Sequence, residues 1–222
     1  MDNVNGLIEV QYSGGRSMVT RLFSSFPIRF MTSSMSAEVP HIFFLGFGGG
    51  ILAGDESRVN ISMKESSVMC LRTQGTTKIF KSKSDEIECG CKQNLVVELA
   101  KLSFFVYLPD PISGFRDSIY EQNQQFSLIG SASIVVVDWY TCGRGKTRDE
   151  FWAQKVIKSC NRVTIDNQIV IHDNLNLFTC EISGSIAEKV GEMDVFGSVI
   201  LVLNYLVFLN IDFDIPICVT NY

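Results

Sequence analysis

Histidine, proline and basic charge are what this 222-residue chain has least of, and each shortage excludes something. With only His41 and His172, and no G-x-S-x-G elbow, a nucleophile–base triad has little to be built from, and no catalytic residue is expected. His41, after Pro40 and before Ile42-Phe43-Phe44, reads as the first residue of a strand. Nineteen Lys and Arg against 24 Asp and Glu give a net charge of −5. That is not the concentrated basic surface that nucleic-acid binding needs, so no nucleic-acid partner is expected. The start, Met1-Asp2-Asn3-Val4-Asn5-Gly6, has neither the basic residues nor the apolar stretch of an export signal. Seven cysteines, Cys70, Cys89, Cys91, Cys142, Cys160, Cys180 and Cys218, are odd in number and irregular in spacing. They read as reduced thiols of a cytoplasmic protein. The apolar run from Val195 to Leu209 is interrupted by Gly197, Ser198 and Asn204 and falls short of the roughly 20 residues a membrane span needs. Its β-branched and aromatic content reads as a buried pair of strands, and no membrane association is expected.

What the chain does have points to β structure. Hydrophobic residues make up 46%, with 16 Phe and 17 Gly, enough for one domain with a substantial core and many turns. Leu7–Tyr12 and Ser17–Phe23 flank Ser13-Gly14-Gly15 and predict a hairpin. Val59, Ile61 and Met63 alternate with polar residues, giving a strand with one wet face. Val68–Thr73, Leu95–Leu99, Ser103–Leu108 and Phe126–Leu128 are further short strands, and Ile134–Val137 reads as a strand covered on both faces. Asp166-Asn167 between two apolar runs predicts a two-residue turn. Ser185 and Glu188 form a capping box for one helix, with Ile186, Ala187, Val190 and Met193 on one face. Asp149–Lys158 fits strand or helix.

Three motifs suggest chemistry and lack its context. Gly48-x-Gly50-x-x-Ala53 matches a loose dinucleotide fingerprint, but a period-2 strand pattern follows where a helix would have to hold the phosphate. Gly145-Lys146-Thr147 is the end of a P-loop whose first glycine is replaced by Tyr140. Cys89-Gly90-Cys91 offers a metal two thiolates, where tetrahedral sites want four ligands.

Taken together, these segments and their neighbours resemble another family. Gly48-Gly49-Gly50-Ile51-Leu52-Ala53-Gly54-Asp55 is similar to the G-G-x-x-x-G-D signature of urease accessory protein D. Thr73-Gln74-Gly75-Thr76-Thr77-Lys78-Ile79-Phe80 resembles its T-Q-x-x-x-K-[IV]-[YF] segment, and Leu108-Pro109-Asp110-Pro111-Ile112-Ser113-Gly114-Phe115 its L-P-D-P-[VI]-x-x-F. Gln122 and Phe126 fall at two places of Y-x-Q-x-x-x-F. Val137-Asp138-Trp139, Gly143-Arg144 and Glu150-Phe151-Trp152 resemble V-L-D-W…G-R…G-E-x-W, with Asp149 where the family has glycine and a loop one residue longer. The five motifs run in the family's order from about Leu7 to Val202.

The resemblance implies a mainly β fold, a two-layered, β-helix-like stack of many short strands with few α-helices, over residues 1–202. Residues 203–222 are expected to form a divergent tail on a shortened C-terminus. It implies a urease maturation scaffold that binds urease apoprotein and accessory proteins F and G, holds no tight cofactor and passes nickel in transit. Asp55, Asp138 and Glu150 are then the candidates to line a nickel passage. Each also has a structural reading, in a turn for Asp55 and in an ion pair with Arg144 for the other two. Gly48, Gly49, Gly50, Gly54, Thr73, Gln74, Lys78, Pro109, Pro111, Phe115, Trp139, Gly143, Arg144 and Trp152 are read as structural. The competing expectations are a P-loop-like nucleotide-binding protein and a non-catalytic β-rich interaction domain.

Overall fold

A computed structural model of the chain describes residues 4–32, 38–82, 86, 89–180, 182 and 184–204. The expected divergent tail lies outside the described residues from position 205 onward. The chain opens with the expected hairpin, β1 (Gly6–Ser13) and β2 (Arg16–Ser24) pairing antiparallel. Gly14 and Gly15 turn it at positive φ, a conformation that side chains disfavour. A second antiparallel pair follows, β3 (Ile28–Thr32) and β4 (His41–Gly46).

From there the chain coils. β5 (Glu56–Met63) leads to β6 (Val68–Arg72) and β7 (Thr77–Ile79). β8 (Cys91–Leu99) leads to β9 (Phe104–Leu108) and β10 (Ile112–Gly114). β11 (Ile119–Leu128) leads to β12 (Ser133–Thr141). The first strand of each coil joins one sheet and the remainder join a second. β5, β8 and β11 pair in parallel, as do β6, β9 and β12, which is the two-layered, helix-like stack that the resemblance implies. A small ribbon, β13 (Gly143–Arg144) and β14 (Glu150–Phe151), interrupts the coil. Between its strands Gly145–Arg148 makes the one-turn helix α1.

The hairpin of β15 (Val156–Ile165) and β16 (Gln168–Phe178) extends the first sheet. It turns on Asp166 and Asn167, both at positive φ as the dipeptide predicts. Helix α2 (Ile186–Val190) starts at the expected capping box, with the Ser185 side chain accepting from Glu188 N–H. β17 (Val195–Val202) then pairs antiparallel with β12 at the margin of the second sheet.

Three expectations need correction. Met193 lies beyond α2 and is exposed, because the helix ends at Gly191 after five residues. Ile134 and Val136 are buried while Val135 and Val137 are only half-buried, so β12 has one core face instead of two. Over its described part, the run from Val195 is one strand paired only with β12, and Val195, Val199 and Leu201 are exposed. The ambiguous Asp149–Lys158 segment holds β14, a loop and the start of β15.

The core is divided in two. One apolar cluster contains Ile8, Val59, Leu95, Phe126, Val136, Val163 and Ile200. The other contains Ile79, Cys91, Tyr120, Tyr140, Trp152, Ile157 and Ile186. Burying each large side chain contributes about 1.5–3 kcal/mol, and what separates the clusters defines the candidate site.

Candidate functional site

Strand alternation carries every second residue of the first sheet into the space between the layers. On β8 the inward residue between Cys91 and Leu95 is Gln93, and on β11 Gln122 and Gln124 lie between Tyr120 and Phe126. On β15 Ser159 and Asn161 lie between Ile157 and Val163, and on β16 Asp173 lies between Leu175 and Ile171. The second sheet repeats this, with Asp138 between Tyr140 and Val136 on β12 and Ser198 between Phe196 and Ile200 on β17. Strand register aligns the polar positions. Ser57 sits beside Gln93, Gln93 beside Gln122 and Gln122 beside Ser159. One level away, Gln124 sits beside Asn161 and Asn161 beside Asp173. A polar seam therefore crosses the molecule between its two apolar clusters.

Asp138 is its centre. The residue is 5% exposed and none of the ion pairs among the described residues includes it. Its carboxylate is held by neutral donors. Gln122 Nε2 donates to Oδ1 at 3.1 Å, while Ser159 Oγ, Asn161 Nδ2 and Tyr140 OH donate to Oδ2 at 2.7, 3.0 and 3.2 Å. Such charge-assisted bonds offset part of a desolvation cost of several kcal/mol. Burial pushes the Tyr107 and Tyr140 hydroxyls far up, and the Asp138 charge adds to it. Tyr140 thus remains a neutral donor. Ser57 Oγ, Gln124 Oε1 and Asn161 Oδ1 are buried without a hydrogen-bond partner among the described residues, a cost a well-packed apolar core would avoid.

One end of the seam opens at a cavity of about 110 Å³ whose lining includes Gly49, Gly50, Asp55, Ser57, Thr73, Gln74 and Gln93. Behind it lies a pocket of about 10 Å³, sharing Ser57 and Gln93 and reaching Gln122 and Gln124, close to the least space that holds one water. Tyr120 OH donates to Gln93 Oε1 at 2.6 Å and lies 2.8 Å from Gln122 Oε1, so polar contacts continue from the cavity wall to Asp138.

The three candidate carboxylates do not converge. Asp55 lines the outer cavity, and its Oδ2 accepts from Leu52 N–H at 2.9 Å, so it organises the turn as well. Glu150 is clamped. Arg144 Nε and Nη2 reach its two oxygens at 2.9 Å each, and the Arg116 N–H donates to Oε2 at 3.4 Å. Arg144 itself lies 4.1 Å from the centre of the Phe115 ring, and Phe115 meets Phe80 edge-on. Arg144 therefore pairs with Glu150, and among the described residues no ion pair includes Asp138.

Of the other motif residues, Gly49, Gly50, Thr73 and Gln74 line the cavity. Gly48, Gly49 and Gly54 adopt positive φ. Gly50 is required sterically, since a Cβ there would lie 2.4 Å from Phe80 Cε2 and 2.7 Å from the Lys78 carbonyl. Thr73 and Asp110 are bonded both ways, at 2.7 and 3.2 Å, and Asp110 Oδ2 also accepts from Gly75 N–H. Gln74 and Lys78 are exposed. Trp139 Nε1 donates to the Pro109 carbonyl and Trp152 Nε1 to the Met193 carbonyl, while Pro111 accepts from Thr77 N–H and Gly143 abuts Gly114.

The remaining sequence candidates fall elsewhere. Cys91 is in the second apolar cluster, its thiol pushed up to about 12 by burial, whereas Cys89 is half-buried beside Glu86. Gly145-Lys146-Thr147 forms α1, and Tyr140, at the missing P-loop glycine, is buried in β12 against Phe196. Among the described residues, no group of three or more His, Cys, Asp and Glu is placed to hold a metal, and no helix is long and apolar enough to cross a membrane. The motifs include Gln122 but not Gln93, Gln124, Ser159, Asn161 or Asp173. Their signal was parity, since each falls in step with inward apolar neighbours.

A family model described as the UreD urease accessory protein matches residues 4–211. Urease accessory protein D of Arabidopsis thaliana is 30% identical over 201 residues, covering 88% of this chain and 67% of its own length. That of Oryza sativa subsp. indica is 29% identical over 201 residues, covering 88% and 64%. The urease accessory protein UreD of Staphylococcus aureus (strain Newman) is 28% identical over 172 residues, covering 77% and 60%. The chain thus spans somewhat less than two thirds of the rice and staphylococcal relatives.

Proposed function

The chain belongs to the UreD family of urease accessory proteins, and from that premise we propose that it serves urease maturation as a non-catalytic cytoplasmic scaffold. In this reading it binds apo-urease together with urease accessory proteins F and G, and its polar seam conducts nickel toward the urease active site. Nickel is cargo here, not a resident cofactor.

The observation that carries the reading is the buried Asp138 carboxylate, held by four neutral donors and in none of the ion pairs among the described residues. Carboxylate, amide and hydroxyl oxygens hold a borderline metal ion more weakly than thiolate or imidazole, which suits release. Asp55 would receive the ion at the outer cavity, and Ser57, Gln93 and Gln122 would hand it on to Asp138. The 10 Å³ pocket is too small for a hydrated ion, so passage requires the ion to shed water or the sheets to part. We assign Glu150 to the Arg144 clamp and leave Asp55 and Asp138 as the passage carboxylates.

The test is reconstitution with apo-urease, accessory proteins F and G, and nickel. The chain is expected to co-purify with apo-urease and raise nickel-dependent activation. Failure to bind urease or accessory protein F would overturn the scaffold reading.

A further inference from the structure

We propose that Cys160 is a peroxide-reactive thiol, activated by His172 on the outer face of the β15–β16 hairpin. Strand alternation sets this site apart from the seam. Ser159 and Asn161 are buried between the sheets, so Lys158, Cys160 and Arg162 fall on the opposite, half-buried face of β15. On β16, His172 and Asn174 flank the inward Asp173 and are exposed. β16 is the last strand of its sheet among the described residues, which leaves this face accessible from the edge. There Cys160 Sγ lies 3.5 Å from His172 Nε2, and Asn174 Nδ2 lies 3.3 Å from the same nitrogen.

An amide nitrogen only donates, so Asn174 makes Nε2 the acceptor and places the ring proton on Nδ1. Nε2 is then the atom positioned to take the thiol proton. Arg162 stands opposite His172 in the strand register and brings positive charge to the same face, which favours a thiolate. Its Nε is buried with no hydrogen-bond partner among the described residues. In the reaction, Cys160 Sγ–H passes its proton to His172 Nε2 and the sulfur attacks one oxygen of hydrogen peroxide. An S–O bond forms as the O–O bond breaks, and the departing hydroxide recovers the proton from His172 to leave as water. Sulfur is oxidised by two electrons to a sulfenic acid, and the peroxide is reduced by the same two.

Four of the other described thiols are placed against this chemistry. Cys70, Cys91 and Cys142 are buried. Burial pushes the Cys70 thiol up to about 11 and that of Cys91 up to about 12. At Cys142 burial also acts upward, and the Asp194 charge adds to it. Cys89 Sγ lies 3.6 Å from the Glu86 carboxylate, where a thiolate would meet a like charge. Cys160 combines access with a base at hydrogen-bond distance.

The test exposes the full, reduced chain to limiting hydrogen peroxide, traps sulfenic acid with dimedone and locates the label by peptide mass spectrometry. Cys160 is expected to label about tenfold or more faster than Cys89 and Cys180 in the wild-type chain. His172→Gln keeps a polar side chain at an exposed position but removes the base. It is expected to slow labelling of Cys160 about tenfold, with the Cys89 and Cys180 rates and the thermal melt unchanged. Labelling of Cys160 no faster than that of Cys89 in the wild-type chain would overturn the proposal without recourse to any variant. Equal Cys160 rates in wild type and folded His172→Gln would overturn the role of His172 as base.

Discussion

Asn161 and Asp138 stand on opposing sheets and meet across the interior, Nδ2 to Oδ2, at 3.0 Å. This contact joins the two layers where neither apolar cluster reaches. It exists because β15 and β12 each put polar side chains between two apolar inward neighbours.

Removing the carboxylate should therefore be costly in itself. Asp138→Ala takes the acceptor from four buried donors, and urea denaturation should show a loss of about 3 kcal/mol or more. Asp138→Asn keeps the volume and one acceptor oxygen and should cost clearly less. Equal stability of Asp138→Ala and wild type would contradict the described network.

Asp55 combines a turn bond with a charge at the cavity. Asp55→Asn can still accept from Leu52 N–H while removing the charge. Its unfolding midpoint should match wild type, and nickel-dependent activation should fall severalfold. A destabilised variant with full activation per folded molecule would assign Asp55 to the turn alone.

Glu150 should behave as a structural ion. Burial acts to raise its carboxyl, but hydrogen bonds from Arg144 and the Arg116 backbone, with both guanidinium charges, hold it below the ordinary glutamate value of 4.5. A depressed folded value favours the native state above that pH, and the contribution disappears as pH falls through the folded value. Glu150→Gln should remove this part of the acid dependence of stability and leave activation per folded protein unchanged. An unaltered stability–pH profile would argue against the clamp.

The glycine loop separates two kinds of constraint. Gly50 has extended backbone, yet its Cβ position is filled by Phe80 and the Lys78 carbonyl. Gly50→Ala should cost about 1–3 kcal/mol through overpacking. Gly48, at φ 73° with open space around it, should lose only about 1 kcal/mol on Gly48→Ala, from conformation alone. Thermal melts of the two variants check the order.

Much of this fold was legible in short-range signals. Gly14-Gly15 and Asp166-Asn167 mark hairpins because their conformations exclude most other residues, and Ser185 with Glu188 marks a helix start. The seam was harder to see. Read alone, Gln122-Asn123-Gln124-Gln125 looks like a solvated stretch. Only the full ten-residue strand shows Gln122 and Gln124 in step with buried Tyr120, Phe126 and Leu128. Asn161 and Asp173 become neighbours through a hairpin register that includes an irregularity between Val163 and Thr164, which sequence spacing does not reveal. Glu150 and Asp138 were grouped by motif, whereas the fold gives Arg144 to Glu150 alone.

The most direct measurement is the nickel content of urease purified from the complete maturation mixture with wild-type chain or Asp138→Asn. The account predicts that the variant still co-purifies with apo-urease and accessory protein F, while nickel per urease active site falls at least tenfold. Full nickel content with Asp138→Asn in an intact complex would contradict it.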